Sequence, residues 1–161
     1  MNNLRLAIVP LMLLAWMGCS LRNDSFEGIR APTLGSSEAV SLETCRTAKC
    51  LTVYVAPWCP HCRAATPMIL ALRDYLKTRG VETRVIVGLD NMDAVRAYAQ
   101  AFGQDTFLDA EGRIGPSGGV PAFFVSDASG RVLYQQNGAP EISPPFSDSI
   151  LSQIAALYHV P

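Results

Sequence analysis

The stretch that decides the fold is Leu51-Thr52-Val53-Tyr54-Val55-Ala56-Pro57-Trp58-Cys59-Pro60-His61-Cys62. Its first half is β-branched and apolar and is ended by Pro57, the signature of a buried strand. From Cys59 the period becomes helical: Ala65, Met68, Ile69, Leu72 and Leu76 share one apolar face, and Gly80 is a left-handed C-cap candidate. The spacing predicts a helix from Cys59 to Arg79, with Pro60 tolerated in its first turn and Pro67 inside it as a source of a kink. Two cysteines therefore sit where a strand turns into a helix. A dithiol exchange site needs two sulfurs that can close a small ring, one of them exposed and easily ionised. Cys59 falls at the helix N-terminus, where unpaired N–H groups and the macrodipole favour a thiolate, while Cys62, one turn later, faces inward. Cys59 is expected to attack and be attacked, and Cys62 to resolve the mixed disulfide.

Working outward, Glu82 to Val87 reads as a second strand, and Met92 to Phe102 as a second helix with Val95, Tyr98, Ala99 and Phe102 on one side. Gly103 to Gly119, rich in Gly and Asp, reads as a long irregular connection. Ala122 to Ser126 and Val132 to Gln136 are strands joined by the hairpin turn Asp127-Ala128-Ser129-Gly130. A last helix follows Ser143, its candidate N-cap ahead of Pro144, with Ile150, Leu151, Ile154, Leu157 and Tyr158 on its apolar face. The order strand, helix, strand, helix, hairpin, helix describes one α/β domain over residues 43–161.

The chain begins differently. Met1 to Arg5 carries one positive charge, and Leu6 to Met17 is an almost unbroken apolar run ending in Gly18-Cys19. From Leu6 to Cys19 there are 14 residues, short of the roughly 20 that span a bilayer in helical form, so residues 1–18 read as a cleaved signal peptide. Gly18-Cys19 resembles the lipobox of bacterial lipoproteins, whose cysteine is lipidated and becomes the mature N-terminus, although Trp16 and Met17 depart from its usual residues. An ordinary secretory signal and an uncleaved short anchor are the alternatives. Residues 19–42, with Gly28, Pro32, Gly35 and several serines, read as a flexible tether from membrane to domain. The expected location is periplasmic or otherwise extracytoplasmic, with the membrane reached through lipid on Cys19.

Of five cysteines, setting Cys19 aside leaves two close pairs. In an oxidising compartment Cys45 and Cys50 are expected to form a structural disulfide, a second redox pair relaying electrons to Cys59 being the sharper alternative. Four thiolates could also make a zinc site, but the spacing between pairs is short and Val53-Tyr54-Val55 between them belongs in a strand. No metal and no cofactor is expected. A formal charge of -1 and a pI near 6.1 give no basic surplus, so nucleic acid is not an expected partner.

Trp58-Cys59-Pro60-His61-Cys62 followed by Pro67 resembles the active-site helix of the thioredoxin superfamily, and Gly119-Val120-Pro121-Ala122-Phe123-Phe124-Val125 resembles its cis-proline loop and following strand. The likeness runs from about Thr44 to Tyr158 and implies the thioredoxin fold, a central mixed sheet with flanking helices. It also implies a cis Pro121, with Val120 beside the cysteines pairing with an extended substrate by strand addition. Trp58 and Pro60 are expected on the substrate-binding rim. Cys-Pro-His-Cys and the valine before the proline are similar to the DsbA family of periplasmic oxidases. His61, by donating to the Cys59 sulfur or supplying positive charge, favours the thiolate, and so an oxidising couple.

Two departures count against a DsbA-like protein: Val87 to Gly119 has no room for that family's helical insertion, and Val53 stands where relatives carry a buried carboxylate. The overall shape is nearer the compact thioredoxin-like reductants of cytochrome maturation. The expected activity is disulfide exchange with extracytoplasmic protein thiols in the oxidase direction, supported by a membrane redox partner. A reductant or isomerase recharged by a membrane electron donor is the alternative within the enzyme class, and a thiol-dependent chaperone or assembly factor the one outside it.

Overall fold

A computed structural model describes residues 25–161; the signal segment 1–18 and Cys19 lie outside the described residues. The elements in chain order are β1 (Arg30–Thr33), β2 (Ser36–Ser41), β3 (Lys49–Val55), α1 (Pro60–Lys77), β4 (Glu82–Gly88), α2 (Met92–Ala99), β5 (Phe107–Asp109), β6 (Ala122–Asp127), β7 (Val132–Asn137) and α3 (Asp148–Leu157). They form one seven-stranded sheet in the order β2-β1-β5-β4-β3-β6-β7, with β3, β4 and β5 parallel and the remaining pairs antiparallel. Central β3 has Val53, Val55, Tyr54 and Thr52 all fully buried, because both faces of the sheet are covered.

Period-two alternation divides the core. Val53, Val55, Val85, Val87, Phe123 and Val125 face a cluster to which all three helices contribute, through Met68, Ile69 and Leu72 of α1, Val95 and Ala99 of α2, and Ile154 of α3. Tyr54, Ile86 and Phe124 face the other way, against Phe26, Leu42 and Ile114 from non-helical segments. Phe26 meets the Phe124 ring edge-on at 5.7 Å. No helix among the described residues is long and apolar enough to cross a membrane.

Three expectations are corrected. Much of the segment 19–42, expected as a tether, belongs to the sheet instead: β1 and β2 form a hairpin, and Phe26 and Leu42 on either side of it are fully buried. Backbone pairing builds these strands, since β2 exposes all of its side chains except a half-buried Ser41. The connection 103–119 contains β5, parallel to β4. Helix α3 starts after Ser147, whose hydroxyl accepts from Ile150 N–H, rather than after Ser143. Pro145 keeps Pro144 out of helical geometry, so no helix can run through that pair.

Candidate active site

At the end of β3 the chain turns, Cys59 N–H donating to Ala56 O at 3.2 Å, and α1 begins. Cys59 is its N-cap, with φ -81° and ψ 113°, and Pro60 fills the first turn, where a missing N–H costs nothing. Cys59 Sγ accepts a hydrogen bond from Cys62 N–H at 3.1 Å. Both cysteines are free thiols, and Cys62 is fully buried. Burial first, and then the hydrogen bond with Cys59, push the Cys62 thiol up to about 12.

Cys59 is only 2% exposed, although an attacking sulfur was expected at the surface. Its S–H reaches the Val120 carbonyl oxygen at 3.5 Å, so the Val120 loop lies over it. The Val120–Pro121 peptide is cis. Two neighbours hold this loop that sequence reasoning did not single out: Asn137 Nδ2 and Gln135 Nε2 both donate to Ser117 O, at 3.2 and 3.4 Å. Gly118 and Gly119 adopt φ of 105° and 111°, and a Cβ on Gly118 would lie 2.5 Å from Asn137 Nδ2. Pro121 O accepts from Gly138 N–H at 2.7 Å, tying the loop to the end of β7.

Trp58 is 56% exposed, and its indole Nε1–H donates to Leu89 O at 2.8 Å, which fixes the ring at the rim. Leu89, with φ 61°, donates its own N–H to Asp109 O. Asp109 is buried: its Oδ2 accepts from Tyr54 hydroxyl and Ile114 N–H, both at 2.8 Å, and its Oδ1 from Arg113 N–H at 2.9 Å. Burial, with the Asp109 charge behind it, raises the Tyr54 hydroxyl well above its ordinary value.

Pro60 and His61 are exposed beside the cysteines. No hydrogen bond joins His61 to Cys59 Sγ; that sulfur is met by the Cys62 amide instead. Val53 is fully buried in the same cluster as Cys62, and no carboxylate among the described residues hydrogen-bonds Cys62. The polar side chain that reaches it is Thr66, whose hydroxyl donates to Cys62 O at 3.0 Å and also meets the Tyr98 hydroxyl at 2.8 Å. The helical pattern placed Tyr98 on an apolar face and gave no sign of its hydroxyl.

Trp58, Cys59, Pro60, His61, Cys62, Val120 and Pro121 thus come together at one end of the sheet. Cys45 and Cys50 are joined in a disulfide at the other end, with Cα atoms 5.8 Å apart. The segment leading into it is fastened by Arg84, which pairs with Glu82 at 2.9 Å and donates to Leu42 O and Thr44 O. Cys50 and Val55 are separated by about 16 Å of extended strand, so the two cysteine pairs cannot exchange directly or share one zinc ion. Among the described residues, Glu82 is an acidic group within reach of the disulfide.

No family model matches the chain, and no curated protein matches it in sequence. Solved structures do. The thioredoxin domain of a thiol-disulfide oxidoreductase from Bacteroides vulgatus superposes with a TM-score of 0.60 at 14% identity, covering 85% of this chain and 97% of its own. A secreted Mycobacterium tuberculosis disulfide oxidoreductase homologous to E. coli DsbE gives 0.58 at 19% identity over 80% and 95%. StoA from Bacillus subtilis gives 0.57 at 17% identity over 79% and 95%. Taken with the strand order, these superpositions show that the chain has the thioredoxin fold.

Proposed function

We propose that the chain is a thiol-disulfide oxidoreductase that exchanges disulfides with extracytoplasmic protein thiols through Cys59 and Cys62. One observation carries the reading: Cys62 N–H is aimed at Cys59 Sγ from 3.1 Å at the first turn of α1, so two free cysteines meet at one helix start. Cys59 forms the mixed disulfide with substrate, Cys62 closes or opens the ring beneath it, and the Val120 backbone pairs with the extended substrate. Trp58 and Pro60 form the rim. The export signal at residues 1–18 and lipid on Cys19 place the domain outside the cytoplasm and at a membrane, where a redox partner resets it; the secreted oxidoreductase among the superposed structures supports that location.

The direction proposed is substrate oxidation, on the strength of the helix N-terminus and the Pro-His dipeptide. A reductant or isomerase is the second reading, favoured by His61, which is exposed and bonds neither sulfur. Equilibration of the Cys59–Cys62 couple with glutathione buffers separates them. A couple more oxidising than glutathione is expected, and a strongly reducing one overturns the oxidase reading. If Cys59→Ser/Cys62→Ser protein retains full biological function, exchange itself is not the function.

A further inference from the structure

Whichever way exchange runs, Cys62 must pass through its thiolate, and its surroundings make that costly. The residue is fully buried with Val53 and Val55 of β3, neither of which titrates. Thr66 is the one side chain besides Cys59 hydrogen-bonded to Cys62 among the described residues. A threonine hydroxyl has a single hydrogen, and Thr66 donates it to Cys62 O, so the hydrogen in the Thr66–Tyr98 bond belongs to Tyr98. The result is an aligned chain from Tyr98 O–H to Thr66 O–H to the Cys62 carbonyl, with the positive ends of both dipoles towards Cys62.

Tyr98 is suited to remain the donor. It is half-buried in α2 with its ring edge-on to Phe102 at 5.4 Å, and burial, with the charges of Cys62 and Cys59 behind it, pushes its hydroxyl up to about 12. The other ionisable groups facing the cluster are Cys59 and Arg63, and Arg63 is turned away, its Nε donating to Pro57 O at 2.7 Å.

Resting on the exchange reading above, we propose that Tyr98, acting through Thr66, is a positioning residue that favours the thiolate of Cys62. In the resolving direction Cys62 S–H gives its proton to water and its thiolate attacks Cys59 Sγ. The bond from Cys59 to the substrate sulfur breaks as the Cys59–Cys62 bond forms, and the substrate leaves as a thiolate. In the oxidising direction the same bonds change in reverse, with Cys62 as the leaving thiolate that takes a proton from water. Both directions gain from the same dipoles.

The test reads Cys62 without any substrate. In full-length Cys59→Ala protein, the rate at which iodoacetamide alkylates Cys62 is measured from about pH 7 to 9, where Tyr98 keeps its proton, with and without Tyr98→Phe, Thr66→Val or Thr66→Ser. Tyr98→Phe keeps the ring and Thr66→Val the shape, and each should slow the reaction about 5-fold, as for a thiol midpoint raised by about 0.7 of a pH unit. Thr66→Ser, which keeps the hydroxyl, should react like the parent. An unchanged rate in either Tyr98→Phe or Thr66→Val overturns the proposal, as does Thr66→Ser behaving like Thr66→Val. Failure of the wild-type chain to oxidise or reduce protein thiols overturns the exchange reading alone.

Discussion

The Cys62 amide donates to Cys59 Sγ at 3.1 Å, so the Cys59 sulfur occupies the place that a serine or aspartate oxygen fills at an ordinary helix N-cap. One sulfur is therefore built into the helix start and the other into the core beneath it. Their chemistry should separate accordingly.

Cys62 is pushed up to about 12 by burial, so at neutral pH it is almost wholly protonated. Its thiolate fraction, and with it the resolution of a Cys59-linked peptide, should rise about tenfold per pH unit through the neutral range. Stopped-flow release of the peptide from about pH 6 to 9 checks the slope, and a pH-independent rate would contradict it. Cys62→Ser should trap the mixed disulfide, and Cys59→Ser should form none, as read by intact mass.

The loop over Cys59 depends on Gly118 and Asn137. Gly118→Ala places a Cβ against Asn137 Nδ2 at a φ of 105°, at a cost of about 1 to 3 kcal/mol. Asn137→Ala removes a donor to Ser117 O. Either change should raise KM for an extended peptide thiol about 5-fold, while reaction with a small dithiol, which needs no backbone pairing, stays unchanged.

Removing the Cys45–Cys50 bridge with a Cys45→Ser/Cys50→Ser pair should lower stability by about 2 kcal/mol, as the chain-entropy estimate gives for so short a loop. Exchange at Cys59 should survive. Denaturant midpoints and a peptide exchange assay on the same preparation test both halves.

Tyr54→Phe removes one of the donors to buried Asp109. Loss of a partner to a buried carboxylate costs about 1 to 3 kcal/mol, so unfolding in urea should shift by that amount. The Cys59 reaction with a small disulfide should not.

The strand from Leu51, the helix from Cys59 and the loop at Val120–Pro121 were legible because each carries a strong local signal: β-branched burial, a 3.6-residue apolar period, and a cysteine or proline at a turn. The β1–β2 hairpin was not. Its Ser36, Ser37 and Glu38 are exposed, and only Ala31 within it, with Phe26 and Leu42 beside it, marks a buried face. Three-residue β5 is too short to show a period. At the site, a sequence pattern ranks Tyr98 as apolar helix surface and Asn137 as strand end. Their roles come from hydrogen bonds across elements, Tyr98 to Thr66 and Asn137 to Ser117, which no spacing along the chain encodes.

The sulfur bridge at the head of β3 is shut away, with Cys50 at 0% and Cys45 at 8% exposure, while Cys59 and Cys62 lie past the strand's other end. On the exchange reading proposed above, the folded domain stores one pair of electrons rather than two pairs. A mild reductant added in excess should leave it counted as a two-electron carrier, with the second bridge surrendering only when the sheet itself opens.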